Sequence, residues 1–510
     1  CGIFFYYGEP TQDLEDQYYK IQHRGPSNSK FYSINVNDKQ MFFGFHRLSV
    51  NGLDEQSNQP FIQDGIYLLC NGEIFNYKEL LFQFHFHDVY VSNSDCEIII
   101  HLYKKFGIEK TVEMLDGEFA FVLYDDNTKK IHIARDVLGI RSLYMGNHEN
   151  NWIFSSEMKA IEKIYDVQQF SPRTYMTISI ENGEHTDKLI MNPYFVFHGI
   201  QQLDCIDEER IHIQMIRELM IKAVNKRLMS DRRLCCLLSG GLDSTIVTAL
   251  VAMNYDPYQI NTYSIGLKES VDLKYSVIAA QSLQTNHTCI ELTPREFIDA
   301  IDKTIYQIES YDVTTVRASI GNYLVSCYIR DNSEDKVVFC GDVSDEIFGS
   351  YRGFFYANNE TDFFEENMKM VENIHYFDVL RSDKSISGAG LEARVPFSDP
   401  ELIQYVMSIK PSYKMFSKEK MEKYLLRKAF DDLLPDELLW RVKTAFSDGV
   451  SNEENPAYKM IQDFMENKYS NQEFEEKRKQ YVINPPYDKE SLYYREIFES
   501  YYENKGSVIP

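Results

Sequence analysis

Positive charge is scarce in this sequence. Its 510 residues include 53 lysines and arginines against 78 aspartates and glutamates, which gives a formal net charge of −25. A surface this acidic repels nucleic acids and anionic membranes, so we expect neither as a partner. A phosphate-bearing ligand must instead be held locally, by a few basic side chains or by backbone N–H groups.

Long apolar runs and paired cysteines are also missing. No uninterrupted apolar segment reaches the roughly 18 residues that a bilayer crossing needs, and no basic and then apolar signal segment opens the chain. The nine cysteines are scattered and lack paired zinc-binding spacing. This usage is typical of a reducing compartment and predicts a cytoplasmic protein. Cys235 and Cys236 lie in an apolar run and are predicted to be small core residues.

Two folding patterns follow one another along the chain. Residues 1–160 contain short β-type runs between turn residues, with one helical pattern at residues 95–106, which predicts a sandwich-like α+β domain. The pattern weakens near residues 165–205 and becomes helical from Glu208. Apolar strands at 234–238, 260–267 and 337–340 then alternate with helices, which predicts a parallel sheet with helices on both faces.

These patterns divide the chain into three parts. Residues 1–190 are predicted to form the α+β domain and residues 207–450 the α/β domain. Residues 451–510, rich in Glu, Lys and Tyr, are predicted to form a peripheral helical tail, partly mobile and without assigned chemistry. Hydrophobic residues make up 44% of the sequence, which is enough for both domains to bury a core.

Cys1-Gly2 places an amine and a thiol on the first residue. The amine, with an ordinary pKa of about 8, can help to deprotonate a thiol whose pKa is ordinarily about 8.5. An ordinary buried cysteine or a cloning remnant is the alternative interpretation. Polar turn segments follow at His23-Arg24-Gly25-Pro26, His46-Arg47-Leu48-Ser49-Val50, Asn71-Gly72-Glu73 and Ser94-Asp95-Cys96-Glu97.

In this order, these segments resemble the glutaminase domain of the N-terminal-nucleophile amidotransferases. The resemblance implies a four-layer αββα sandwich with Cys1 as the nucleophile that attacks the side-chain amide of glutamine. It implies an oxyanion hole formed by the Asn71 side chain and the Gly72 backbone N–H. Ser27 departs from the family, which usually carries aspartate after His-Arg-Gly-Pro.

The resemblance also assigns a glutamine pocket. Arg47 is implied to bind the α-carboxylate of glutamine through its two parallel N–H donors. Asp95, together with Glu73, is implied to hold the α-ammonium group. The full implied set is Arg47, Leu48, Ser49, Val50, Asn51, Asn71, Gly72, Glu73 and Asp95.

A second polar loop lies between an apolar strand and a predicted helix. Its sequence is Ser239-Gly240-Gly241-Leu242-Asp243-Ser244. Glycines let a backbone approach phosphate closely, and a helix N-terminus supplies free N–H groups and positive potential. A flexible turn is the alternative. The loop lacks the Gly-Lys-Ser/Thr of a Walker loop and resembles the pyrophosphate loop of the ATP pyrophosphatases.

Five later segments resemble, in order, parts of the asparagine synthetase family: residues 311–319, 341–346, 390–397, 440–443 and 446–449. The resemblance implies that glutamine releases ammonia at Cys1, while aspartate and ATP form β-aspartyl-AMP and pyrophosphate. Ammonia then displaces AMP to give asparagine. The implied partners are glutamine, aspartate and ATP, with Mg²⁺ as cofactor, and the oligomeric state stays open, with a homodimer among the assemblies allowed.

The same resemblance assigns residues to the nucleotide site. Asp342 is implied to support formation of the adenylate, and Asp243 and Asp345 are hard oxygen ligands suited to Mg²⁺. Lys443 is implied to neutralise the departing pyrophosphate. The implied ATP-binding set is Leu238, Ser239, Gly240, Gly241, Asp243, Ser244, Ile265, Cys340, Gly341 and Lys443.

The implied aspartate site consists of Thr315, Arg317, Glu392 and Arg394. For Glu392 and Arg394 the alternative is a surface ion pair, worth only about 0–1 kcal/mol. The flanking Gly390 favours the interpretation of this segment as a loop that binds the substrate aspartate.

Asp342-Val343 departs from the Glu-Gly that the family carries at this point. Because a β-branched residue avoids positive φ, we predict that the loop takes a shifted path, brings Asp342 to the same place and retains activity. A non-catalytic regulator on the same scaffold is the alternative. Other glutamine amidotransferases lack the loop at 239–244, and β-lactam synthetases are not expected to keep the glutaminase residues with Cys1.

Overall fold

Antiparallel strands build the first domain. The computed structural model describes residues 1–161, 165–180, 190–200, 207–443 and 457–510. Two six-stranded sheets have the strand orders β10-β8-β9-β1-β3-β2 and β12-β11-β7-β6-β5-β4. Their strands are β1 (Gly2–Gly8), β2 (Asn28–Val36), β3 (Lys39–Arg47), β4 (Phe61–Gln63), β5 (Ile66–Ile74), β6 (Gly117–Asp125), β7 (Lys130–Arg135), β8 (Tyr144–His148), β9 (Asn151–Ser155), β10 (Asp166–Gln169), β11 (Thr174–Ser179) and β12 (Asn192–Pro193).

Alternation along β1 explains how the sheets stack. Ile3 and Phe5 belong to the core between the two sheets, whereas Phe4 faces the opposite side and packs in one core with α1 (Leu14–Tyr19). Side chains alternate between the faces of a strand, so a strand that is buried throughout must be covered on both faces. On the second sheet, Leu68 of β5 packs with α2 (Tyr77–Phe84) and α3 (Ile98–Met114). The resulting four layers are those of the predicted αββα sandwich.

The segment predicted to be irregular contributes strands to both sheets. β10 pairs with β8, and β11 pairs with β7, with Met176 opposite Ile133. The prediction of irregular structure is therefore wrong for residues 166–179, because these strands are too short to give a clear period in the sequence. The helix predicted at 95–106 is present, and its helical geometry is interrupted at Gly107, where φ is +76°.

The second domain contains a five-stranded sheet in the order β15-β14-β13-β16-β17, and every adjacent pair is parallel. Cys235 and Cys236 are adjacent in β13 and are both fully buried, as predicted for core residues. Because they point to opposite faces, both faces of the sheet are covered. The strands are β13 (Leu234–Leu237), β14 (Asn261–Leu267), β15 (Asn286–Leu292), β16 (Val337–Phe339) and β17 (Glu392–Arg394).

Helices surround this sheet and extend to the end of the chain. No helix in the described ranges has the length and apolar character needed to cross a membrane. The helices are α4 (Glu208–Arg227), α5 (Leu242–Ala252), α6 (Val271–Leu283), α7 (Pro294–Asp299), α8 (Ile301–Ile308), α9 (Val313–Asn332), α10 (Ser344–Phe348), α11 (Glu360–Asn373), α12 (Asp378–Ser387), α13 (Pro400–Ser408), α14 (Pro411–Lys414), α15 (Tyr424–Ala429), α16 (Asp436–Leu439), α17 (Ala457–Lys468), α18 (Asn471–Arg478) and α19 (Lys489–Tyr501).

Buried ion pairs join the two domains. The Arg24 guanidinium lies 2.9 Å from Asp383 of α12, and Arg227 of α4 lies 2.8 Å from Glu118 of β6. All four side chains are almost completely buried. Removing one partner of a buried pair leaves an uncompensated charge, which typically costs about 3–5 kcal/mol. The domains are therefore held in the arrangement that pairs these charges.

The last helix belongs to the core. Leu492, Tyr494 and Phe498 of α19 are fully buried and share one core with Ile301 and Ile305 of α8. The prediction of a peripheral tail is wrong for this helix. Its charged residues obscured the apolar positions in the sequence.

The position of α19 predicts a clear difference between two substitutions. Phe498→Ala is expected to lower the free energy of unfolding by about 3–5 kcal/mol, because a fully buried ring is removed. Val482→Ala, at a side chain that is 90% exposed, is expected to change it by less than about 0.5 kcal/mol. Urea unfolding followed by circular dichroism measures both, and equal effects would contradict the docking of α19.

Candidate active sites

Cys1 is held from two sides at the start of β1. The Leu48 N–H donates to its thiol at 3.3 Å, and Arg24 Nε donates to its carbonyl oxygen at 2.8 Å. The register of β1 against β3 places Gly2 opposite His46. The loop that follows β3 therefore lies beside Cys1, so strand pairing brings together the two segments that the sequence assigned to one site.

The α-amine of Cys1 is poised to act as a base. Burial, assisted by the positive charges of Arg24 and Arg141, lowers its pKa to about 5, although Glu392 and Asp383 act in the opposite direction. At neutral pH the amine is therefore uncharged and has a free lone pair. It lies on the same residue as the thiol, which is the arrangement needed to activate a thiol nucleophile.

The loop after β3 presents a buried guanidinium. Arg47 donates to the Asp54 carbonyl and to Asn58 Oδ1, both at 2.9 Å, and also to the Gly52 carbonyl. These acceptors are neutral, so they orient the guanidinium without cancelling its charge. Ser27 accepts a hydrogen bond from the Ser49 N–H at 3.2 Å, which gives its hydroxyl a local role in holding this loop.

Asn71 and Gly72 lie side by side in β5. Asn71 Nδ2 is buried and has no hydrogen-bond partner among the described residues. A buried donor without a partner is costly, and such donors recur where a ligand completes the site. Gly72 has φ +141°, and a Cβ there would lie 2.0 Å from the Glu118 carbonyl oxygen. Only glycine fits at this position.

Two carboxylates close the other side of the pocket. Burial, followed by the charges of Asp95 and Glu392, raises the pKa of Glu73 well above its usual range. Burial also raises the pKa of Asp95 to about 6, although the Ile74 N–H donates to its carboxylate at 2.6 Å. Burial thus disfavours the ionised forms of both carboxyl groups, and a positively charged ligand group beside them would favour those forms.

Glu392 and Arg394 lie beside Glu73, in the pocket near Cys1. Arg394 is 2.8 Å from Glu392 and 3.6 Å from Glu73, and Glu392 is 3.8 Å from Arg141. Both residues of β17 are buried, so the interpretation of them as a surface ion pair is wrong. Their position between the domains also does not bring them to the site at which aspartate was expected.

The polar loop between β13 and α5 opens onto a cavity of about 820 Å³. The cavity brings together residues that are distant in the sequence: Leu238, Ser239, Gly241, Asp243, Ser244, Ile265, Thr315, Cys340, Gly341, Asp342, Asp345 and Lys443. Gly240 is behind the loop, where φ is +72° and a Cβ would lie 2.3 Å from the Tyr275 backbone. The stretch 446–449, assigned by sequence to the same phosphate site, lies outside the described residues.

Two lysines and two aspartates meet at the mouth of this loop. Lys423 Nζ lies 2.6 Å from Asp243 and 2.5 Å from Asp345, and Lys443 also forms an ion pair with Asp345. Burial works to raise the pKa of Asp345, but Lys423 and Lys443 hold it well below its usual range. The cluster combines two ammonium groups that can bind phosphate with two carboxylates that can bind a cation.

This donor set fits Mg²⁺. The Lys423 ammonium stands between Asp243 and Asp345, in the position that a cation would take. The described residues contain no group of three or more His, Cys, Asp or Glu side chains suited to a metal. A metal held by these two aspartates would take its remaining ligands from phosphate and water, which is the coordination that Mg²⁺ favours.

Asp342 is fixed by α12, and Val343 keeps a left-handed backbone. Asp342 lies 2.7 Å from Arg381. Val343 has φ +79° and is buried immediately before α10. The predicted shift of the loop away from positive φ is therefore wrong. The strain of such a conformation is about 1–3 kcal/mol, and the surrounding structure must offset it.

Arg317 points away from the cavity and toward the C-terminal helix. Its Nε donates to Glu490 of α19 at 2.7 Å, and Glu490 is almost completely buried. Thr315, two residues earlier in α9, does line the cavity. The structure thus brings one of the four predicted aspartate-site residues to the nucleotide loop and places the other three elsewhere.

Several charged residues of the cavity were missed in the sequence. Lys423, Asp378, Arg381 and Glu346 all line it. Lys423 precedes an ordinary amphipathic helix and has no motif around it. For α12, the sequence feature that could have indicated a site is the charged run Arg381-Ser382-Asp383-Lys384. All four of these residues are buried.

The fold and the two centres define a class of protein. An αββα domain with a buried pocket beside Cys1 is joined to an α/β domain whose glycine-rich loop, lysines and aspartates suit a nucleotide, as in a glutamine amidotransferase fused to a synthetase. The family profile described as "Glutamine amidotransferase domain" matches residues 1–205. The profile described as "Asparagine synthase" matches residues 215–368 and 358–507.

Relatives match this chain over its whole length. The chain is 36% identical to "Asparagine synthetase [glutamine-hydrolyzing]" of Rattus norvegicus and 37% identical to that of Gallus gallus, over 100% of this chain and 95% of each relative. It is 35% identical to "Probable asparagine synthetase [glutamine-hydrolyzing]" of Acanthamoeba polyphaga mimivirus, over 96% of that protein. The chain belongs to the asparagine synthase family.

Proposed function

We propose that this chain synthesises L-asparagine from L-aspartate, takes the nitrogen from glutamine, and converts ATP into AMP and pyrophosphate. The observation that carries the proposal is the joining of two centres by buried ion pairs within one chain. One centre has an uncharged amine beside a thiol at Cys1. The other has a cavity in which Lys423 and Lys443 face Asp243 and Asp345.

The glutaminase reaction begins at Cys1. Its amine takes the thiol proton, directly or through water, and the sulfur attacks the side-chain amide of glutamine. The oxyanion that develops is stabilised by the Asn71 amide and the Gly72 N–H. The Cys1 amine returns the thiol proton to the leaving nitrogen, so that collapse releases ammonia and leaves a γ-glutamyl thioester, which water then hydrolyses to glutamate and the free thiol. Arg47 binds the α-carboxylate of glutamine, and Asp95, together with Glu73, binds its α-ammonium group.

The synthetase reaction takes place in the second cavity. The β-carboxylate of aspartate attacks the α-phosphorus of ATP, which gives β-aspartyl-AMP and pyrophosphate. Lys423 and Lys443 stabilise the charge on the departing pyrophosphate, and Asp342 supports adenylate formation. Asp243 and Asp345 would hold Mg²⁺, which would supply neutralisation of phosphate charge when bound. Ammonia then attacks the acyl carbon, and asparagine and AMP leave.

A non-catalytic regulator is not favoured, because both centres keep the charged groups that the chemistry needs.

We also infer a cytoplasmic location, which is supported by the free state of all cysteines in the described residues. A homodimer remains a prediction.

The two half-reactions are expected to be separable by substitution. Cys1→Ala should abolish glutamine hydrolysis and retain asparagine synthesis from ammonium salts, because the nucleophile and the nucleotide loop lie in different domains. Asp345→Asn should retain glutamine hydrolysis and abolish formation of AMP and pyrophosphate. Chromatographic measurement of glutamate, asparagine and AMP tests both, and ADP with phosphate as the main products would contradict adenylation.

The pKa values predict two different acidic limbs. For glutamine hydrolysis, kcat/KM should fall as the pH drops through about 6, because Asp95 becomes protonated and no longer holds the ammonium group. At saturating glutamine, kcat should hold until about pH 5, where the Cys1 amine becomes protonated. A kcat that already fell below pH 8 would indicate an ordinary amine and would contradict this assignment.

Gly72→Ala is expected to lower glutamine hydrolysis by about 10²–10³-fold, because the new Cβ would collide with the Glu118 carbonyl and displace an oxyanion donor. Synthesis from ammonium salts should be unchanged. Gly199→Ala is the matched control, since a Cβ there has no atom within 4 Å. Equal glutaminase rates in the two variants would remove Gly72 from the oxyanion hole.

A further inference from the structure

Helix α12 lies between the two centres and contacts both. Successive helical residues are about 100° apart, so Arg381 and Asp383 point to nearly opposite sides. Arg381 lines the synthetase cavity and pairs with Asp342 at 2.7 Å. Asp383 points into the glutaminase domain. Because both side chains are buried, α12 forms a wall that the two sites share.

Asp383 accepts from three donors of the glutaminase domain. Arg24 donates to both carboxylate oxygens, at 3.1 and 2.9 Å, Ser142 donates at 3.0 Å, and Arg141 donates at 3.4 Å. Arg24 also donates to the Cys1 carbonyl at 2.8 Å. A carboxylate of one domain therefore fixes the guanidinium that holds the main chain of the nucleophile in the other domain.

Each nitrogen of the Arg24 guanidinium has its own partner. Nε binds the Cys1 carbonyl, one terminal nitrogen binds Glu157 at 3.0 Å, and the other binds Asp383. If Asp383 lost its charge, Glu157 would be the remaining carboxylate on Arg24. The guanidinium would then be drawn toward Glu157 and away from the Cys1 carbonyl.

We propose that Asp383, in the synthetase domain, is a positioning residue for the Cys1 nucleophile. The inference rests on the proposed glutaminase reaction and extends it. Asp383 touches neither the thiol nor the nucleotide loop and acts through Arg24. The glutaminase centre is therefore complete only when α12 is docked against the first domain, so the synthetase domain contributes to the chemistry of its neighbour.

Charge gives the proposal a second consequence. The charged groups that act on the Cys1 amine are Arg24, Arg141, Glu392 and Asp383, and Asp383 is one of the two that favour its protonated form. Removing that negative charge leaves the two arginines less opposed. The acidic limb of kcat for glutamine hydrolysis, which reports the Cys1 amine, should then move to lower pH.

The test compares Asp383→Asn with Asp399→Asn in the full-length chain. Asp399 is a buried carboxylate at the same domain interface, 3.0 Å from Arg227, with no recorded contact to Arg24 or Cys1. Asp383→Asn is expected to lower kcat for glutamine hydrolysis by about 10–100-fold, since a displacement of about 1 Å can cost about 10². KM for glutamine and synthesis from ammonium salts should stay unchanged, and the acidic limb of kcat should shift downward.

Asp399→Asn is expected to keep kcat and the pH profile of the unsubstituted chain. Asp383→Glu, which keeps the charge, should recover part of the rate. The proposal is overturned if both asparagine variants lose activity equally, if the loss appears in KM, or if the acidic limb of Asp383→Asn does not move. If the unsubstituted chain releases no glutamate from glutamine, the proposed function itself fails, before the variants are compared.

Discussion

Buried charge at the domain interface is the constraint on which this structure depends. Arg24, Glu118, Arg227 and Asp383 are removed from water and are paired across the two domains. A buried ion left alone costs several kcal/mol, whereas a pair with good geometry can break even. The pairs therefore add little to net stability, but they penalise every arrangement that separates them. This fixes the distance and orientation between two centres that must exchange a small, reactive product.

The two centres differ in the charged residues that surround their proposed ligands. At the glutaminase pocket, burial raises the pKa values of Glu73 and Asp95, and an ammonium group bound beside them would favour their ionised forms. At the nucleotide loop, Lys423 and Lys443 are paired with Asp243 and Asp345, so two ammonium groups are available to phosphate beside two carboxylates that suit a cation. The chain has a net charge of −25, whereas this cluster balances two lysines against two aspartates. Each pocket thus holds charged side chains with which its proposed ligand can pair.

The strands, helices and loops that could be predicted from the sequence are those whose residue pattern is local. The strands of both domains, the Cys1 segment and the loop at 239–244 have short-range patterns, and the structure places them near their predicted positions. Lys423, Asp383 and the burial of α19 could not be predicted in this way. Their roles depend on partners far along the chain, and a charged residue in a helix looks the same in sequence whether it is solvated or buried in an ion pair. The placement of Glu392 and Arg394 at the aspartate site was wrong for the same reason, because the sequence does not show that they pack beside Glu73.

Val343 shows why residue type alone does not decide a loop's path. A valine at φ +79° is strained by about 1–3 kcal/mol, so an isolated loop would avoid it. Here the side chain is buried in the same core as Ile347 and Phe348 of α10, and burying a valine is worth about 1.5–3 kcal/mol. The two terms are of similar size, so packing can offset the strain. The backbone therefore keeps the turn that begins α10, and Asp342 stays against Arg381 at the wall of the cavity.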